Sequence, residues 1–445
     1  MKTACVLLLA AALPAVDQKS ADLAALVDAQ LPSLVATYKN LHQHPELSHY
    51  EARTSALIAS ELRKAGYEVT EHVGVYPDGS RAYGVVAVIK NGPGPTVLVR
   101  TDLDALPIRE ETGLPYASSE RGRTVEGNPA PAMHACGHDI HMTSLLGTGR
   151  ALAQLKDQWH GALILIGQPS EETIDGARAM LADGLYERFG RPDYVLGEHD
   201  DPGLPAGSVG IVSGPALASS TSVDVAIRGI GGHGARPEAG KDPIVMAAEY
   251  ILEIQTIVSR QIPPQQPAVV TVGTIHGGTK RNIIPDEVTL QLTVRTYSEE
   301  VREKILDSLQ RMAQGIAVAN GLPSDRMPIV SVSKTETTPV TYNDPTLAAR
   351  LRPVFVAALG AGNVADWHPE MGSEDFGLFG LPGRQIPAFF LRLGATDPAK
   401  LAESRRTGVP VPGLHSALFA PEPSPTIRTG VIGMSAAVLD LMKKQ

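Results

Sequence analysis

Between residues 85 and 213, short apolar runs are separated by loops and by stretches whose apolar residues recur every three to four positions. Residues 85–89, 97–99, 163–166, 194–196 and, far downstream, 389–393 read as strands buried on both faces, because each run is predominantly apolar. Helices fit between several of them, 143–155 for example, and the alternation predicts an α/β sheet. Upstream, residues 21–66 read as two helices around a loop at 41–48, with Gly66 as the stop before a strand at 67–70. Near Ser213-Gly214-Pro215 the rhythm changes. Residues 222–227 alternate like a half-exposed strand, 242–258 read as an amphipathic helix with Pro243 in its first turn, and strands at 268–275 and 287–296 precede a helix at 299–318. This β-α-β-β-α order predicts a small inserted sheet covered by helices on one face and ending near Gly321-Leu322-Pro323. A strand at 329–332, a helix at 345–359 and a terminal helix at 431–442 follow.

Three predicted strands run into polar clusters: Arg100-Thr101-Asp102-Leu103-Asp104, Gln168-Pro169-Ser170-Glu171-Glu172 and Gly197-Glu198-His199-Asp200. Ligands of open α/β sheets bind beyond the carboxyl ends of strands, so the three clusters converge on one expected site. Between the first two lies Met133-His134-Ala135-Cys136-Gly137-His138-Asp139-Ile140-His141, with three imidazoles, a thiol and a carboxylate in a chain of 13 His and 2 Cys. A borderline-soft cation such as Zn²⁺ takes these donor types together. Cys136 and His138 stand two apart, sharing a side of extended chain and diverging on a helix, and Gly137 permits a turn between them. Pairing His134 with His138 on one helical face lacks the glutamate that such a zinc motif needs, since Ala135 follows His134. Cys136 and His138 are therefore expected as ligands on a loop leading into a helix near Ile140; the bland alternative is a polar turn with a buried thiol.

The adjacent carboxylates Glu171 and Glu172 point to opposite sides of extended chain, so one can bind metal while the other moves a proton. Two solvated acids opening a helix are the ordinary alternative. His199 is a further ligand candidate after its strand, and His415 stands alone in a Pro/Gly loop. Asp102 and Asp104 suit the role of carboxylates that fix a ligand histidine in one tautomer. His42 and His44, at a helix end, read as structural. In the inserted unit, Gly231-Gly232-His233-Gly234 exposes an imidazole on a glycine-rich turn without a P-loop's Lys-Ser/Thr ending. Asn282 and Arg295 lie beside or within predicted strands, and Arg295 suits carboxylate recognition through its paired donors.

At 445 residues, 43% apolar and 20% charged, the chain suits a globular protein of two domains. A net charge of -9 argues against a nucleic-acid partner. Lys2 precedes an apolar run from Ala4 to Leu13 that is too short to span a bilayer and is followed by Pro14-Ala15. Residues 1–15 are expected to be a signal peptide, placing the protein in the periplasm or outside the cell with no membrane partner. Its removal would take Cys5 and leave Cys136 as the sole thiol, which a metal would account for.

Together with the loop at 41–48, Gly232-His233, Arg236-Pro237, Asn282-Ile283-Ile284-Pro285, Arg295-Thr296-Tyr297 and Met371-Gly372-Ser373-Glu374-Asp375-Phe376, these motifs resemble the M20 metallopeptidases. The resemblance spans nearly all the chain after the targeting segment. It is closest to the amidohydrolase branch, with its hippurate hydrolases, N-acyl-amino-acid amidohydrolases and auxin-conjugate hydrolases. It implies an α/β fold: a zinc-exopeptidase-like mixed-sheet catalytic domain (16–213 and 330–445) with an inserted ferredoxin-like α+β lid and dimerisation domain (214–329). By resemblance Cys136, His138, Glu172, His199 and His415 hold two divalent metal ions (Zn, Mn, Co or Ni), Glu171 is the general base and Asp102 the supporting carboxylate. His233 resembles the lid histidine that reaches a partner's site in a homodimer, and Asn282 and Arg295 would meet the substrate's carboxylate. The family's peptidases have a metal-binding His where Arg100 stands and a carboxylate where Cys136 stands, which favours amide hydrolysis over peptide hydrolysis. Asp200-Asp201 after His199, and Ala417 in place of a usual Pro, bear on substrate preference. The expected activity is hydrolysis of N-acyl amino acids or similar small amide conjugates by metal-activated water. A dipeptidase or aminoacylase-like peptidase and a catalytically silent metal-dependent binder are the alternatives.

Overall fold

The computed structural model describes residues 18–444 apart from Arg384. The expected signal peptide lies outside the described residues. Eight strands form the large sheet, in the spatial order Glu68–Val75, Arg81–Asn91, Gly161–Gln168, Thr96–Asp102, Tyr194–Pro205, Ala388–Thr396, Val209–Ile211 and Val364–Asp366. The middle four run parallel, Arg81–Asn91 and Val209–Ile211 flank them antiparallel, and Val364–Asp366 lies parallel to Val209–Ile211. Helices cover both faces, which explains the apolar runs. Val97, Val99, Leu163 and Leu165 pack toward the helices Gln18–Gln43, Ala52–Lys64, His138–Gln154 and Pro423–Leu441, while Leu98, Ile164 and Ile166 join Met180, Phe376 and Phe379 on the opposite side.

Two expected boundaries shift. The strand expected to stop at 196 continues to Pro205, still paired with Ala388–Thr396 through Glu198, His199 and Asp200. Within this stretch Asp200 meets His141, 59 residues away, through both Oδ1 and its N–H. The helix expected near Ile140 begins at His138, directly after Gly137 with φ 78°. A side chain at Gly137 would place its Cβ 2.3 Å from the Asp200 carboxylate, so this turn demands glycine.

The inserted unit is β-α-β-β-α-β: strands Ser219–Arg228, Ala268–Gly277, Glu287–Thr296 and Ile329–Thr338 with helices Pro243–Thr256 and Glu299–Ala319. All strand pairs are antiparallel, and the helices share one core with Val223, Val225, Leu290 and Leu292. The expected limits, 214 and 329, are both corrected. Gly214–Leu217 pairs instead with Thr341–Asn343 outside the unit, and Ile329–Thr338 is the unit's fourth strand, paired with Ser219–Arg228. That edge strand is largely exposed, so its weak apolar pattern did not mark it as part of the small sheet. Among the described residues, no helix is long and apolar enough to cross a membrane.

Candidate metal centre and active site

Five side chains from four distant segments meet at the carboxyl ends of the central strands. Cys136 and His138 flank Gly137 at the start of a helix, Glu172 follows Gly161–Gln168, His199 lies within Tyr194–Pro205, and His415 comes from a loop. Cys136 Sγ stands 3.4 Å from His199 Nε2 and 3.3 Å from His415 Nε2. The donor atoms of Cys136, His138 and His199 all lie within 4.8 Å of one another, as do those of Cys136, Glu172 and His415. Cys136 is common to both groups, each of which could hold a cation.

The tautomers fit that use. His138 Nδ1–H donates to the Asp104 carbonyl at 2.8 Å, and His199 Nδ1–H donates to the Asp200 carbonyl at 2.8 Å. Each leaves Nε2 bare and aimed at the cluster. His138 Nε2 and Glu172 Oε1 are buried and have no hydrogen-bond partner among the described residues, an arrangement costly without a cation. Burial and the neighbouring Glu172 and Glu171 push the Cys136 thiol well above its ordinary range, and burial raises Glu172 to about 8. A thiol and carboxylates that resist ionisation together are the donor set a divalent ion would stabilise.

Glu171 lies in the same place, with Oε2 3.8 Å from His138 Nε2. Burial, with Glu374 and Glu172 nearby, pushes its carboxyl well above the carboxylate range. The turn that presents the pair is strained: Ser170 and Ile174 have φ 54° and 53°, the latter a rare conformation for a β-branched residue. Glu51 Oε1 holds the turn by accepting Ser170 N–H at 2.8 Å and Ser170 Oγ–H at 3.0 Å. Asp102 accepts from His141 Nδ1 at 2.8 Å and Arg100 Nη1 at 2.6 Å, and stands 3.6 Å from His138 Nε2. Although burial opposes it, His138, His141 and Arg100 hold Asp102 well below the usual carboxylate range. Arg100 is wholly buried and reaches Gln168, Glu374 and Asp375 as well, so it organises carboxylates.

A cavity of about 490 Å³ lies between the large sheet and the inserted unit. Cys136, Glu171, Glu172, His199 and His415 line it from one unit, and Ser220, Ser222, Thr293 and Arg295 from the other. These four project from the sheet face opposite the helix-covered side, as strand alternation requires. Arg295 Nη1 donates to the Met371 carbonyl at 2.9 Å and lies 3.3 Å from Ser373 Oγ.

His233 and Asn282 are not brought in. Both are exposed and do not line the cavity; they sit on the small ribbon that pairs His233 with Ile283. Sequence reasoning also left His141, Asp200, Glu51 and Arg392 without roles. His141 had a signal, its place within the Met133–His141 stretch. Glu51 had none, because its function is set by a loop 119 residues away. His42 is buried between Asp139 at 2.7 Å and Glu110 at 3.0 Å, and His44 meets Glu120 at the surface.

A model of peptidase family M20/M25/M40 matches residues 98–406. The chain is 39% identical over 341 residues to the hippurate hydrolase of Campylobacter jejuni, covering 76% of this chain and 82% of that protein. It is 36% identical over 349 residues to the N-acetyl-L-cysteine deacetylase of Bacillus subtilis, covering 78% and 77%. A crystal structure of a dinuclear metal-binding M20 peptidase from Bacillus subtilis superposes with a TM-score of 0.72 at 29% identity, covering 93% of this chain and 99% of that one.

Proposed function

The chain belongs to peptidase family M20/M25/M40, and from that premise we propose that it is a metal-dependent hydrolase of the amide bond in N-acyl amino acids or similar small conjugates. The observation that carries this reading is the meeting of Cys136, His138, Glu172, His199 and His415 on the wall of a cavity that also holds a glutamate, Glu171. Two divalent cations held by those five side chains would polarise the scissile carbonyl and acidify a water. The chain's own groups carry the rest. Glu171, on the wall of the same cavity, takes the water's proton and delivers it to the departing nitrogen. Arg295 receives the substrate's carboxylate with its paired donors.

His233 and Asn282, side by side on an exposed ribbon, act in this reading on the cavity of a second copy, the inserted unit serving as lid and dimerisation surface. The reading also includes export through residues 1–15, which N-terminal sequencing of the mature protein tests.

The decisive variant is Glu171→Gln. It should retain the metal content of the wild type by elemental analysis while losing about 10²- to 10⁴-fold in kcat on a panel of N-acyl amino acids and dipeptides. Near-normal turnover would remove Glu171 from its role, and a wild type without bound metal would remove the hydrolase reading. Faster turnover of dipeptides would favour the peptidase alternative.

A further inference from the structure

The cavity wall carries charged groups that the proposed reaction does not use. Arg392 is buried in the strand Ala388–Thr396, and its Nε and Nη2 donate to Asp201 Oδ2 at 3.2 and 3.1 Å. Nη2 also donates to Glu370 Oε2 at 2.9 Å. Trp367 Nε1 and the Gly203 N–H complete Asp201's hydrogen bonds at 2.9 and 2.7 Å. Asp201 by itself neutralises Arg392, so Glu370 adds a surplus negative charge to the wall. Its other oxygen, Oε1, has no donor closer than His368 Nε2 at 4.0 Å among the described residues, and its side chain is 34% exposed.

Glu370 is also held in place. Its N–H donates to the Ala216 carbonyl at 3.0 Å, and its carbonyl accepts the Ala218 N–H at 3.1 Å. The next carbonyl, that of Met371, accepts from Arg295. One short segment thus holds both an arginine without a carboxylate partner among the described residues and a carboxylate with a free oxygen, and both line the cavity. The two complement a molecule that carries both an anion and a cation.

We propose that the amino-acid half of the substrate bears a positively charged side chain: Arg295 takes its carboxylate, Glu370 takes its cation, and N-acyl derivatives of basic amino acids are preferred. This rests on the amide-hydrolase reading and narrows its substrate class. The test compares kcat/KM for N-acetyl and N-benzoyl derivatives of L-lysine and of L-norleucine, which matches lysine's chain without its ammonium. Wild-type protein should favour the lysine derivatives by about tenfold or more, the advantage expected of one charge-assisted hydrogen bond. In Glu370→Gln, whose amide oxygen can still accept from Arg392, that ratio should fall toward one. Calorimetry on metal-free wild-type protein should show free L-lysine binding more tightly than L-norleucine. Turnover without preference for lysine overturns the proposal, as does an unchanged ratio in a variant that melts like wild type. No turnover of any derivative overturns it together with the hydrolase reading.

Discussion

Asp104 accepts the backbone N–H of Glu171 on one carboxylate oxygen and that of Glu172 on the other, both at 3.0 Å. Ser48 Oγ donates to it at 2.7 Å, and its own carbonyl receives His138 Nδ1–H. One residue therefore positions the proposed base and two proposed ligands without entering the cavity. Asp102 and Asp104 both read from the sequence as holders of a ligand histidine, but Asp104 does so through its main chain and spends its carboxylate on the glutamate turn. That division was not legible, because a side chain's partner in a loop 67 residues away leaves no local pattern. Asp104→Asn would turn an NH₂ toward one of the two N–H groups and strand it, at about 1–3 kcal/mol. Metal affinity should drop about 10- to 100-fold, with kcat falling more than KM changes. A metal titration with steady-state kinetics checks this, and unchanged affinity would make Asp104 a bystander.

The elements follow periodicity closely where they are buried or two-sided: Glu287–Thr296 and Pro345–Leu359 begin and end where the apolar spacing predicts. They depart from it where compensation is non-local, as in the strand that runs on through His199 and Asp200 and the helix that opens early at His138. The first turn of that helix is tied to Gln18–Gln43 by His42, buried against Asp139 and Glu110. Burial pushes His42 down, but hydrogen bonds to Asp139 and Glu110 outweigh it and raise it to about 10, above its ordinary 6.5. Because the folded state binds this proton more tightly than the unfolded chain, the stabilisation is complete below about 6.5. It is lost as pH climbs through about 10. Thermal melts should show wild-type stability declining from pH 7 to 10. His42→Ala, which leaves two buried carboxylates without their partner, should melt lower at pH 7 by about 3 kcal/mol and lack that component of the decline. Parallel pH profiles for the two proteins would refute the linkage.

Across the whole molecule, the cavity exists only because the inserted unit faces the carboxyl ends of the large sheet, and His233 lies outside the cavity of its own chain. If a second copy receives His233, Glu171→Gln and His233→Ala should each be nearly inactive. Mixing the two under conditions of subunit exchange should restore turnover, since one cavity of the mixed dimer is intact. Failure to complement, or a monomer by sedimentation, would confine the site to one chain. The sequence by itself determined the α/β periodicity, the insertion and the donor types that mark a metal site, because apolar spacing and residue chemistry are local properties. Only the tertiary structure decided that Cys136 is common to two donor groups, which nitrogen of each histidine is bare, and that Ile329–Thr338 belongs to the small sheet. The same holds for Glu370, left with a free oxygen by the pairing of Asp201 with Arg392. Each of these depends on which buried polar group finds which partner, and that is settled when distant segments exclude water together.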